Sequence, residues 1–265
     1  MLKTERSRGI ITRFPGEQVK HTRYYPSAAL APFVEHYWMV QWSLEEATPF
    51  IAGNLPHPSA HLVFEKNASR IVGVHLGKFN RRLEGKGHVF AVKFRPCGFY
   101  PFFQRSLHTI TNKMIAPEND PGKNFREAET QILAAQTADE KIQLTEEFLL
   151  SFRPVPVPGS EMIQQLIERV IADRTIIRAE QMAELAHKTL RTLQRYFSQY
   201  VGASPKWVIR RYRLMDAVER LKDGSEISFA GLAHELGYAD QAHFIRDFKK
   251  IIGTSPGEYQ KQISG

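Results

Sequence analysis

The sequence predicts an α+β protein in two parts, a β-rich N-terminal domain for which a barrel is one form, followed by an all-α domain built on a repeated helical unit. Three observations predict it. β-favouring runs separated by turn residues fill the first hundred residues. A proline-rich spacer, RPVPVPGS at 153–160, interrupts the chain. Beyond it the apolar residues recur at helical spacing, and FSQYVGASP (197–205) returns as FKKIIGTSP (248–256).

The β runs are FVEHYWMVQW (33–42), HLVFE (61–65), RIVGVHL (70–76) and HVFAVKF (88–94). Residues 125–152 then read as helical, with Ile132, Leu133, Ile142, Leu144, Phe148 and Leu149 as the apolar stripe. Thr137-Ala138-Asp139 divides that stretch into two helices, with Asp139 or Thr137 as the second N-cap. Alternating prolines forbid a helix in the spacer and favour an extended chain. The resulting division is 1–153, a linker at 154–159, and 160–265. Ser160 is the expected N-cap of a helix carrying Met162, Ile163, Leu166, Ile167, Val170 and Ile171.

The repeat is longer than the quoted stretch. At an offset of 51, Thr189 meets Asp240, Leu193 meets Phe244, Arg195 meets Arg246 and Phe197 meets Phe248. Gly202, Ser204 and Pro205 then meet Gly253, Ser255 and Pro256. Upstream the offset is 50, where Ala183 meets Ala233, so the second copy has one extra turn residue. Each copy reads as a short helix, a tight turn, a capping residue and a second helix closed by glycine, after which Ser-Pro opens a further helix. That is a helix-turn-helix unit, whose second helix can enter the DNA major groove. Opposite its buried face, the first copy would expose Arg191, Gln194 and Arg195, and the second Gln241, Ala242, His243 and Arg246. Arginine suits guanine and glutamine suits adenine there. Lys188, Thr189, Arg210, Arg211, Asp240 and Lys249 are the phosphate candidates, Arg210, Arg211 and Arg213 serving either phosphates or salt bridges along the connecting helix. Arg195 and Arg246 have a second reading, as matched internal ion-pair partners.

TLRTLQRYFSQYVGASPKWVIRRYRLMDAVERL (189–221) and LAHELGYADQAHFIRDFKKIIGTSPGEYQ (232–260) carry a family resemblance. Residues 160–265 resemble the DNA-binding domain of the AraC/XylS transcriptional regulators. The resemblance implies two reading helices in successive major grooves, roughly 34 Å apart. It also implies a joining helix at about 206–222, with Trp207, Ile209, Leu214, Val218 and Leu221 as its apolar contacts. The partners it implies are double-stranded DNA, RNA polymerase, a small-molecule effector and a second copy of the chain, with no membrane. Ala186-His187 departs from the pattern, standing where a large apolar residue and a turn glycine are usual, so His187 is expected at positive φ. YYPSAALAPFVEHYWMVQW (24–42) and GHVFAVKFRPCGFYPFF (87–103) resemble, more loosely, the N-terminal domain of one uncharacterised branch of such regulators.

Composition narrows the rest. The chain has 265 residues and a net charge of +8, spread over both halves. A local bias lies between Glu184 and Asp216, where seven lysines and arginines meet no acid. The single cysteine, Cys97, excludes an intrachain disulfide and a resolving thiol. It sits where the family resemblance places glycine. The first fourteen residues lack a signal-peptide core, and no run is long enough to span a membrane, so the default location is cytoplasmic. His57, His61 and Glu65 have the wrong spacing for a cupin-type metal site, although His61 and Glu65 would share a strand face. No catalytic set, metal site or cofactor motif is expected. The dense aromatics, Tyr37, Trp38, Phe90 and Phe94 among them, read as core or as the wall of an apolar ligand cavity. Arg95 reads as a partner for an anionic effector or for a carboxylate between the two parts. The function expected is sequence-specific transcriptional regulation under N-terminal control. The alternatives are a ligand-binding or enzymatic N-terminal domain with a degenerate helical appendage, and a low-specificity nucleoid-type binder.

Overall fold

The computed structural model describes residues 18–45, 49–55, 57–117, 125–222 and 228–264. The N-terminal stretch read for a signal peptide lies outside them. Eight strands form two open sheets. They are β1 (Val19–Tyr24), β2 (Val34–Ser43), β3 (Phe50–Asn54), β4 (His61–Phe64), β5 (Arg70–Val72), β6 (Phe79–Leu83), β7 (Lys86–Phe94) and β8 (Met114–Ile115). Six of them run in the order β1-β2-β7-β4-β5-β8, and every pairing is antiparallel. β3 and β6 pair with each other as a separate ribbon.

The central strands look uniformly apolar because both of their faces are covered. On β7, Phe90, Val92 and Phe94 enter one core, while Val89 and Ala91 enter another. Leu62 and Phe64 of β4 likewise part from Val63. This is the period-two alternation of a strand with apolar residues in both phases. The first core is closed by α1 (Tyr100–Phe103), α2 (Phe125–Ala134) and α3 (Ala138–Ser151). The second is closed by Ala52 and Leu83 of the β3–β6 ribbon. Thr137 caps α3 as read from the sequence, in a reciprocal capping box with Glu140.

After an irregular stretch at 153–157, which begins with Arg153 at φ 48°, seven helices follow among the described residues. They are α4 (Ser160–Ala172), α5 (Ala179–Leu185), α6 (Leu190–Tyr196), α7 (Pro205–Lys222), α8 (Phe229–Glu235), α9 (Gln241–Ile252) and α10 (Pro256–Ser264). Ser160 is the first helical residue rather than the cap. Gly159 holds the cap position at φ 82°, a left-handed conformation natural to glycine, and offers no side-chain bond. The joining helix, α7, links two cores. Val208 and Ile209 pack with α4, α5 and α6, whereas Leu214, Ala217, Val218 and Leu221 pack with α8, α9 and α10.

The N-terminal part enters both of those cores. Val74 and Cys97 join the first and Leu55 joins the second. Trp207, half-buried, donates its indole N–H to the Leu76 carbonyl at 3.0 Å, and Gln164 bonds the Pro96 carbonyl at 3.1 Å. Cys97 stands at φ 68°, so its backbone has the conformation that glycine would favour. It is buried, and burial pushes its thiol pKa well up, which makes it a packing residue and no nucleophile.

Candidate nucleic-acid interface

The two units are built by the same backbone device. In the first, Lys188 N–H bonds the Ala183 carbonyl at 3.0 Å and His187 N–H bonds Glu184 at 3.0 Å. In the second, Tyr238 N–H bonds Ala233 at 2.9 Å and Gly237 N–H bonds His234 at 3.0 Å. The bond spanning five residues ends α5 and α8 in a Schellman-type turn that needs a left-handed residue before its donor. Gly237 supplies that residue at φ 78° and His187 at φ 50°, as its sequence position implies. A side-chain cap then starts the second helix. Thr189 Oγ1 accepts from Thr192 N–H at 3.2 Å, and Asp240 Oδ1 accepts from His243 N–H at 2.7 Å.

α6 and α9 bury the expected pairs. Leu193 and Phe197 lie in one core, and Phe244 and Phe248 in the other, all fully buried. Their opposite faces are open. Arg191, Gln194 and Arg195 are exposed on α6, as are Gln241, Ala242 and Arg246 on α9. The Arg195 guanidinium lies 5.1 Å from the Tyr196 ring centre. Lys188 and Lys249 are exposed beside these faces.

Several candidates are placed differently. His243 is half-buried, 3.7 Å from Asp247 and with its Nε2 3.5 Å from Arg210. Arg210 also pairs with Asp247 at 3.3 Å. The two basic groups therefore form a cluster inside the second unit, with one edge of His243 turned outward. Arg211 is 2% exposed, and its Nη2 lies 3.0 Å from His57 Nε2 of the N-terminal part. Burial lowers its pKa, and its position withdraws it from the phosphate candidates. Arg213 is equally buried, paired with Asp216 at 3.0 Å and donating to the carbonyls of Val170 and Asp173 at the end of α4. Three arginines within four helical residues point in three directions, so a helix cannot turn all of them to one partner. Asp240 is a cap whose carboxylate would repel a phosphate, so it leaves that set as well.

The N-terminal part touches the far end of both reading helices. Past Tyr196, α6 widens into one π-turn, Phe197–Val201, which Gly202 ends at φ 83°. There Thr111 Oγ1 donates to the Gly202 carbonyl at 2.6 Å, and Gln199 bonds the Tyr100 hydroxyl at 3.2 Å. α9 stays regular up to Gly253 at φ 91°, whose Cα faces the Lys78 side chain. Among the described residues the N-terminal ends of both helices are left open, Arg191 and Gln241 being exposed there.

The histidines do not assemble a metal site. His61 Nδ1 accepts the Trp38 indole N–H at 3.2 Å, which fixes a neutral ring, and burial lowers its pKa to about 3. Glu65 pairs with Arg70 and Arg81. Among the described residues no group of three His, Cys, Asp or Glu side chains could hold a metal, and no helix is long and apolar enough to cross a membrane.

Residues 22–116 match a domain of unknown function (DUF6597), and residues 182–262 match the helix-turn-helix domain family. An uncharacterized HTH-type transcriptional regulator of Haemophilus influenzae is 39% identical over 85 residues, 32% of this chain and 28% of that protein. The HTH-type transcriptional activator RhaS of Pectobacterium carotovorum is 36% identical over 73 residues, 28% of this chain and 26% of that protein. The chain therefore spans between a quarter and a third of the length of these relatives. The C-terminal domain of AraT, a response regulator from Geobacillus stearothermophilus, aligns at 24% identity over 38% of this chain and 84% of that one, with a TM-score of 0.35. The family match falls on the repeat and its paired turns, so residues 182–262 carry a helix-turn-helix domain, similar there to HTH-type and AraC-like transcription regulators.

Proposed function

We propose that the chain is a sequence-specific double-stranded DNA-binding transcriptional regulator, controlled through its N-terminal part. Residues 1–153 act as the sensing or self-association domain, 154–159 as linker and 160–265 as the DNA-binding domain. One observation carries the reading. Two copies of the same turn and cap each hold a helix with an arginine- and glutamine-bearing face open to solvent. α7, with 18 residues, is about 27 Å long, a spacer of the order of one duplex turn of roughly 34 Å.

The mechanism is binding without chemistry. Lys188, Lys249 and the outward part of Arg210 neutralise phosphates and set register, while the two exposed faces read bases. The N-terminal contacts at Gly202 and Gly253 control how the two helices are presented, so an effector that alters those contacts shifts the binding-competent population. The protein works in the cytoplasm, meets RNA polymerase at its promoters, and acts alone or as a homodimer.

Selection of bound sequences from a random duplex pool by the full-length chain tests this. The expected result is enrichment of two short boxes about one helical turn apart. A steep salt dependence without any enrichment would overturn it in favour of a non-specific binder.

A further inference from the structure

One polar cavity among the described residues belongs to neither domain alone. It encloses about 970 Å³ between the six-stranded sheet and helices α4 and α7. Besides Arg174, four cations line it: Arg23, Lys93 and Arg95 from the N-terminal part and Arg211 from α7. Lys93 and Arg211 are 6% and 2% exposed, and each acts on the other as a like charge. Lys93 is paired with Glu35 at 2.8 Å and Arg211 is held against His57. Among the described residues the Nε of Arg23 is buried without a hydrogen-bond partner, and Arg95 is anchored through Nε, at 2.7 Å from the Ala31 carbonyl. Of the other carboxylates on the wall, Asp216 is taken by Arg213 and Arg174, while Glu168 and Glu219 are exposed at the rim.

The cavity thus brings four positive side chains together, with Glu35 as the carboxylate paired among them and Glu219 acting on Arg211 from the rim. Like charges brought together by two docking domains oppose that docking unless an anion lies between them. The volume suits a small metabolite. Polar and charged side chains outnumber the apolar ones on its wall, Ile167, Ile171 and Met215 among the latter, so the occupant is predominantly hydrophilic.

We propose that this cavity binds a small anionic metabolite, through carboxylate or phosphate oxygens held by Arg23, Arg95, Lys93 and Arg211, and that the bound anion locks the two domains together. The consequence for DNA deepens the proposed N-terminal control and rests on that reading. The binding itself does not.

The test is the thermal unfolding of the full-length chain in citrate and, separately, in inorganic phosphate, each against sodium chloride of equal ionic strength. A saturable rise in melting temperature is expected with at least one of the two, and which one responds distinguishes carboxylate from phosphate. Arg23→Gln and Arg95→Gln should each weaken the apparent affinity at least about tenfold, while melting no earlier than the parent in chloride. Arg191→Gln with Arg246→Gln, on the open faces of α6 and α9, should leave the titration unchanged. No rise beyond chloride with either anion would overturn the site. So would equal affinity in the Arg23 and Arg95 variants, or loss of binding in the Arg191/Arg246 variant, which would place the anion on the DNA-reading surface.

Discussion

The two helix-turn-helix units share a backbone plan and differ in what holds them. The first is tied to the N-terminal part along its whole C-terminal side. Its reading helix widens at 197–201, Gly202 is bonded by Thr111, and Trp207 reaches the Leu76 carbonyl. The second meets the N-terminal part at Leu55, in its core, and at Lys78, beside Gly253, and has polar contacts of its own. α9 is regular, and Arg210, Asp247 and His243 cluster within it. Glu258, the counterpart of Trp207 at the repeat offset, caps its own helix through Ser255 N–H at 2.9 Å. Divergence at equivalent positions has given the first unit hydrogen bonds to the N-terminal part where the second bonds within itself.

The largest expected effects test whether the two cores carry equal weight. Phe197→Ala and Phe248→Ala should each cost about 3–5 kcal/mol in denaturant unfolding, since both rings are fully buried. A small effect at Phe248 would mean that the second core is not cooperative with the rest.

Next come the terminators. Alanine at Gly202 or Gly253 places a side chain at positive φ, and at Gly202 its Cβ would also lie 3.0 Å from the Leu107 carbonyl oxygen. At Gly253 the neighbour is the flexible Lys78 chain. We expect about 2–3 kcal/mol for Gly202→Ala and about 1 kcal/mol for Gly253→Ala, read from urea midpoints. Equal costs would contradict the unequal clamp.

On DNA, Arg195→Ala and Arg246→Ala should each lose about 1–3 kcal/mol of operator affinity without an earlier melt. Neither makes an ion pair among the described residues, which disfavours their reading as internal pairs. The smallest effect is at the turn. His187→Gly should stabilise the first unit by about 0.5–1 kcal/mol, because glycine adopts φ 50° without strain. Calorimetry showing a loss instead would mean that the imidazole makes a contact outweighing its backbone strain.

What was legible in the sequence follows the range of the forces involved. The duplicated turns were readable because their signals are local: a cap three residues before the N–H that donates to it, a glycine at a left-handed position, Ser-Pro at a helix start. Thr137 was readable for the same reason, and Ser160 was misplaced by one because Gly159 already closes the preceding turn. β1, β3, β6 and β8 were not read. FNRRL and FIAGN lack a clean alternation and exist as strands because they pair with each other. The interdomain cavity was the least legible feature. Arg95 was flagged as an interface cation, but Arg23, Lys93 and Arg211 meet only once the sheet docks on α7. The one available hint was that Arg210, Arg211 and Arg213 cannot share a helix face.

The central claim is that both units read DNA and do so separately. Hydroxyl-radical footprinting of a selected site, with the parent chain and with Arg195→Ala and Arg246→Ala, tests it most directly. The account predicts two protected patches about one helical turn apart, with each variant losing a different one. A single patch, or both variants losing the same patch, would contradict it.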